Sequence, residues 1–243
     1  MLEKLMQKIA VATKKDFSFL DKDKKQFNPD SSWELVFEDD FETLDWTKWK
    51  SYCPKNGVRN AAYYTDDEDI IFVKDGCLYI RTKWKNGKYG EGYYTSWIES
   101  SVNKSTDKTI NLAKENYEGF STTYGYFEIR CKFPPAKGIW SAFWLMPDNN
   151  IAFSDEDEQG TGRDGAEIDI YESPFYSMKP RNCVQSAVHC DGYDERLKSD
   201  ASKVYCIDDP YSEFHTYALE WDEKMKKNTY FMLTDTKHGA HRI

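Results

Sequence analysis

The sequence predicts an all-β protein, and three observations carry the prediction. From Trp33 onward, short segments rich in aromatic and β-branched residues alternate apolar with polar positions. Turn-forming residues stand between them: Lys74-Asp75-Gly76, Asn86-Gly87, Phe133-Pro134-Pro135 and Asp191-Gly192. No stretch beyond residue 33 sustains a helical period. Many short strands without helices between them mean a sandwich, a jelly roll or a barrel.

The elements follow in order. Leu2, Leu5, Met6, Ile9 and Ala10 fall at helical spacing, which predicts a helix within residues 1–15. Residues 16–32 are charged and end in Asn28-Pro29-Asp30-Ser31-Ser32, a loop signature. Residues 1–32 therefore read as an N-terminal appendage and 33–243 as the domain. The strand candidates are WELVFE from Trp33, CLYIRT from Cys77, YGYFEIRCKF from Tyr124 and GIWSAFWLM from Gly138. AEIDIYE from Ala166, CVQSAVHC from Cys183, FHTYALEW from Phe214 and NTYFMLT from Asn228 complete the series.

Parity sorts their faces, because alternate residues of a strand point to opposite sides. Over 124–133, Phe127, Ile129, Cys131 and Phe133 share the face that must be core, and Tyr124, Tyr126, Glu128, Arg130 and Lys132 share the other. Over 139–146 both faces are apolar, with Trp140, Ala142, Trp144 and Met146 on one and Ile139, Phe143 and Leu145 on the other. Such a strand is either wholly buried or faces a ligand that favours aromatics. Trp140 and Trp144 are the candidate platforms, to stay partly accessible while Phe143 and Leu145 are buried.

Composition excludes other classes. The 243 residues are 40 % hydrophobic and 31 % charged, so the chain is not disordered. Aromatics reach 16 %, a supply of rigid surfaces for a core or a ligand platform. Lys+Arg of 33 against Asp+Glu of 42 gives a net charge of −9, which disfavours nucleic acid as a partner. No run approaches the ~20 apolar residues of a membrane span, and the apolar run Ile9–Ala12 is too short for the core of a secretory signal. A monomer without membrane contact is expected. None of the six cysteines forms a C-x-x-C pair, which disfavours a zinc ribbon or thioredoxin site. Cys183 and Cys190, on one strand candidate, would lie about 23 Å apart, too far for a disulfide.

The most informative stretch is Asp164-Gly165-Ala166-Glu167-Ile168-Asp169-Ile170-Tyr171-Glu172-Ser173. Glu167 and Asp169 point the same way, and Ile168 and Ile170 point to the core. Glu172 is five residues beyond Glu167, on the opposite face of a regular strand; one extra residue, a β-bulge, brings it back. Two plain readings compete with function: a solvated strand face, or an oxygen-lined calcium site. Against solvation stands the electrostatic cost of crowding like charges. Glycoside hydrolysis uses such crowding. It needs one ionised and one protonated carboxyl, about 5–5.5 Å apart for retention, and neighbouring charge keeps the proton on the acid.

Glu167-x-Asp169-x-x-Glu172 resembles the E-x-D-x-x-E signature of glycoside hydrolase family 16, the laminarinase and lichenase group. Other segments match in order: Trp33–Phe41, Lys74–Ile80, Tyr93–Ser96, Tyr124–Arg130, Gly138–Pro147 and Phe214–Trp221. The resemblance implies a β-jelly roll with a substrate cleft on its concave sheet, and retaining hydrolysis within a β-1,3 or mixed-linkage β-glucan. It implies Glu167 as nucleophile, Glu172 as acid/base and Asp169 as the carboxylate that sets the nucleophile. Glu128 and Arg130 match sugar-binding positions, Trp140 and Trp144 become stacking platforms, and His189 would sit beside the acid/base. Asn60 and Arg59 lie in a loop that reaches distal sugars in the family, although Arg-Asn-Ala-Ala-Tyr-Tyr departs from its usual sequence. The resemblance requires no cofactor and leaves a structural calcium open. It implies extracellular action, although the chain carries no recognisable signal. After Trp221 the family runs into a Val-Asp-Gly hairpin and further strands, where this chain has Thr234-Asp235-Thr236, so the last strands are expected to be lacking. A non-catalytic carbohydrate-binding jelly roll, a transglycosylase and an inactive truncated member are the competing readings.

Overall fold

The structure is a computed structural model that describes residues 2–14, 33–54, 57–59, 61–102, 109–136, 138–147, 166–173, 183–190, 199–206, 209–221, 230–233 and 240–242. Among the described residues, every regular element is a strand. In chain order these are β1 (Leu2–Lys14), β2 (Trp33–Asp39), β3 (Lys50–Pro54), β4 (Val58–Arg59), β5 (Ala62–Tyr64) and β6 (Ile71–Lys74). Next come β7 (Cys77–Gly87), β8 (Gly90–Thr95), β9 (Ile98–Glu99), β10 (Thr109–Leu112), β11 (Gly125–Lys132) and β12 (Ala142–Leu145). The last are β13 (Glu167–Glu172), β14 (Cys183–Cys190), β15 (Ser199–Cys206), β16 (His215–Trp221), β17 (Tyr230–Leu233) and β18 (Ala240–Arg242). The chain divides into two units, Met1–Lys8 with Asp39–Thr122 and Ile9–Glu38 with Thr123–Ile243.

In the first unit the predicted Asp75-Gly76 turn closes β6 onto β7. Lys74 pairs with Cys77, and both turn residues have positive φ, 54° and 65°, as a type I′ hairpin requires. The Asn86-Gly87 turn is displaced. Gly87 still pairs, with Gly90, so the turn is Lys88-Tyr89. Gly87 serves packing instead, since a Cβ there would lie 2.6 Å from the Tyr94 ring. The N-terminal helix is corrected to a strand: β1 pairs antiparallel with β7 from Leu2↔Thr82 to Met6↔Leu78. A lone helix of this length is marginal in water, whereas the edge of β7 offers a full ladder of hydrogen bonds. The buried core holds Phe41, Trp49, Ile70, Ile71, Leu78 and Tyr94. Buried Asp39 anchors one end of it, accepting the Phe41 N–H at 2.8 Å and the Trp49 indole N–H at 2.7 Å. The first of these bonds engages the backbone of Phe41, whose φ of 55° is a conformation bulky residues avoid.

The second unit carries the acidic strand. β11 pairs with β16 from Gly125↔Trp221 to Cys131↔His215. Phe127, Ile129, Cys131 and Phe133 are all buried, as parity predicts. Tyr126 is buried as well, although it shares the polar face: its ring meets Trp33 edge-on, centroids 6.3 Å apart, and packs on Ala218. An aromatic body with a polar tip suits both demands, because its hydroxyl still reaches Glu128. β17 continues from β16 through Tyr217↔Leu233, and β18 follows through Tyr230↔Arg242. A separate antiparallel sheet runs β12-β13-β14-β15. Tyr171 of β13 ties it to the core, with ring centroids 4.9 Å from Phe133 and 4.6 Å from Tyr217.

Candidate active site

Register builds the site. Between β13 and β14, Glu167 pairs with His189, Ile168 with Val188 and Asp169 with Ala187, and then the register slips so that Glu172 pairs with Gln185. Against β12, Trp144 pairs with Asp169 and Phe143 with Tyr171, which skips Ile170. Both neighbours thus see one extra residue in β13, the predicted bulge. Ile170 and Tyr171 are consecutive and both buried, and Glu172 returns to the face of Glu167 and Asp169. The Ser186 hydroxyl donates to the Ile170 carbonyl at 2.8 Å, which satisfies a backbone group at the bulge.

Asp169 is the buried member, 2 % exposed, while Glu167 and Glu172 are half-buried. His189 Nε2 lies 3.3 Å from Asp169 Oδ2. Ala187, the cross-strand partner of Asp169, is too small to stand between them. The Trp140 indole N–H donates to Glu172 Oε1 at 2.8 Å. Burial, and next the charge of Asp169, push the Glu172 carboxyl up to about 7; Glu167 adds to this, while the Trp140 bond and His189 oppose it. A carboxyl that holds its proton near neutral pH, beside others of its kind, is suited to donate that proton.

Asp169, Glu172 and His189 place donor atoms within 4.8 Å of one another. Two carboxylates and an imidazole are not the six to eight oxygens calcium takes. With Glu172 Oε1 engaged by the indole and His189 beside Asp169, the cluster reads as proton chemistry.

The other expected residues fall as follows. Trp144 is half-buried on the carboxylate side of the sheet, and Trp140, 46 % exposed, precedes β12 rather than lying within it. Phe143 and Leu145 are half-buried, not buried; among the described residues β12 pairs with β13 alone and stands at the edge of its sheet. Glu128 accepts the Tyr126 hydroxyl at 2.7 Å, and the Arg130 guanidinium lies 4.8 Å from the Phe214 ring centre. Asn60 lies outside the described residues. Sequence reasoning missed Gln185, opposite Glu172, and Ser173, whose backbone N–H donates to the Ser141 carbonyl at 2.7 Å. Only the slipped register points to Gln185; the sequence offers no signal for it.

Comparison with known proteins gives the context. The family model described as "Glycosyl hydrolases family 16" matches residues 89–236. A beta-glucanase of Rhodothermus marinus is 28 % identical over 195 residues, spanning 78 % of this chain and 59 % of that protein. An endo-1,3-1,4-beta-glycanase of Rhizobium meliloti is 34 % identical over 209 residues, spanning 78 % of this chain and 39 % of that one. The chain therefore spans less than two thirds of the length of either relative. The solved laminarinase of Rhodothermus marinus aligns with a TM-score of 0.63 at 24 % identity, covering 86 % of this chain and 74 % of that one. That likeness bears on fold, and it bears out the all-β jelly-roll class expected from the sequence. Among the described residues, no helix is long and apolar enough to cross a membrane.

Proposed function

We propose that this chain, which belongs to glycosyl hydrolases family 16, cleaves internal bonds of β-1,3 or mixed-linkage β-glucans with retention of configuration. The observation that carries the reading is the bulge in β13. It returns Glu172 to the side of Glu167 and Asp169, and Glu172 is the carboxyl held protonated up to about 7. The names of the similar proteins, a beta-glucanase and an endo-1,3-1,4-beta-glycanase, support the substrate class.

Each residue then has a task. Ionised Glu167 attacks the anomeric carbon as Glu172 passes its proton to the departing glycosidic oxygen. The carbon–oxygen bond breaks and a glycosyl ester forms on Glu167. Glu172, now a carboxylate, takes a proton from water as that water's oxygen bonds to the anomeric carbon, and the carbon–oxygen bond to Glu167 breaks, returning Glu167 as a carboxylate and Glu172 as the acid. Buried Asp169 lies between the two in sequence, and its charge favours the proton on Glu172. Trp144 offers a half-exposed face to the sugar, and Glu128, Arg130 and His189 are the candidates for its hydroxyls.

Reducing-sugar release from laminarin and mixed-linkage glucan, with the first anomer read by proton NMR, tests this. Internal cleavage yielding the β-anomer first is expected. The α-anomer first, or binding without cleavage, overturns it.

A further inference from the structure

We propose that Trp140 is a positioning residue: its indole N–H holds one carboxyl oxygen of Glu172 and so steers the catalytic proton to the other. This rests on the reading of Glu172 as acid/base.

The indole nitrogen is 2.8 Å from Glu172 Oε1. An indole N–H donates only, so the oxygen it meets must accept. The carbonyl oxygen of a carboxylic acid is a better acceptor than its hydroxyl oxygen, so when Glu172 is protonated the contact favours the proton on Oε2. Transfer then runs from Oε2 to the glycosidic oxygen as the carbon–oxygen bond breaks. The electrons left on the carboxylate are shared with Oε1, where the indole still donates. The bond to the charged form is the stronger one, so the contact favours the step in which Glu172 ionises.

The surrounding backbone keeps the two groups together. Ser141, next to Trp140, donates its N–H to Ser173 Oγ at 2.8 Å. Ser173, next to Glu172, donates its own N–H back to the Ser141 carbonyl at 2.7 Å. Its hydroxyl also reaches the Ile139 carbonyl at 3.4 Å. Ser141 and Ser173 are both buried, and the pairing of β12 with β13 starts beside them, Ala142 opposite Glu172 and Phe143 opposite Tyr171, ahead of the bulge. The segment Ile139–Ser141 is thus fastened to Glu172-Ser173 immediately beside the indole–carboxyl bond.

Trp140→Phe separates the two roles, because it keeps a ring for stacking and removes the N–H. The Glu172 carboxyl is followed by carbon-13 NMR through a pH titration, and kcat and KM are measured on laminarin and on aryl β-glucosides of graded leaving group. Without the donor, the Glu172 midpoint should rise above its value near 7 and the alkaline limb of kcat/KM should follow it upward. On laminarin kcat should fall about tenfold, part of the ~10²–10⁴ a general acid contributes. Glucosides of acidic phenols, which need no proton, should be cleaved almost as before, with KM little changed. A raised KM with unchanged kcat and an unmoved midpoint overturns the proposal and leaves Trp140 a platform only. A shifted midpoint in a protein that cleaves no glucan would instead uphold the contact and defeat the hydrolase reading.

Discussion

Replacing Glu172 with glutamine should make the protein more stable at pH 8 and leave it unchanged at pH 4. In the folded chain this carboxyl releases its proton near 7 against an ordinary 4.5, so folding favours its protonated form. Between those values the folded state holds a proton that the unfolded state has lost, and stability falls as pH rises. The stabilisation is complete below about 4.5 and gone above about 7. A difference of about 2.5 pH units corresponds to about 3.4 kcal/mol at full effect. The side chain is only half-buried, and solvent screening reduces this to about 1–2 kcal/mol. Glutamine mimics the neutral carboxyl in shape and charge, so Glu172→Gln should recover that amount at pH 8. For a chain of this size, about 2–8 °C in Tm is expected. Thermal melts of both proteins at pH 4 and pH 8 measure it directly. Equal Tm differences at the two pH values, or a less stable variant at pH 8, would refute the placement of this carboxyl among its neighbours.

Three further outcomes are expected. Glu167→Ala should abolish turnover without lowering Tm by more than a few degrees, and azide should restore cleavage with an inverted glycosyl azide as product, seen by proton NMR. Asp169→Asn removes the second-largest cause of the raised Glu172 midpoint, so the alkaline limb of kcat/KM should move down by roughly one pH unit; an unmoved limb counts against the coupling. Tyr171→Ala should cost about 3–5 kcal/mol in denaturant melts, because this fully buried ring packs on Phe133 and Tyr217; a loss under 1 kcal/mol would show that the bulge is not seated by that ring.

What the sequence disclosed was periodic. The core face of β11 follows from parity alone, and so does the need for a bulge if Glu172 is to join Glu167. The Asp75-Gly76 turn was legible because two consecutive residues tolerant of positive φ leave few alternatives. Asn86-Gly87 carries the same signal and misleads, because Gly87 answers to the Tyr94 ring, a contact made through space. The N-terminal strand was hidden for a related reason: leucines at helical spacing state a local preference, and pairing with β7 overrides it. The double role of Trp140 was invisible as well. Spacing can place an indole on a face but cannot say what its N–H meets, and that partner lies 32 residues away.

The bulge makes β13 sensitive to a kind of change that substitution does not probe. Ile170 and Tyr171 could each be exchanged for another apolar residue and the frame of the strand would survive. Deleting either one brings Glu172 to the fourth position after Glu167, the same side of a regular strand, so the carboxylates keep a common face while the bulge, with the local twist and bend it adds, is lost. The separation of the carboxylates along the strand is therefore set by a count of residues rather than by their identity. A one-residue deletion here tests what the bulge contributes beyond a common face, because it keeps the three carboxylates on one side and changes their separation and the twist of the strand.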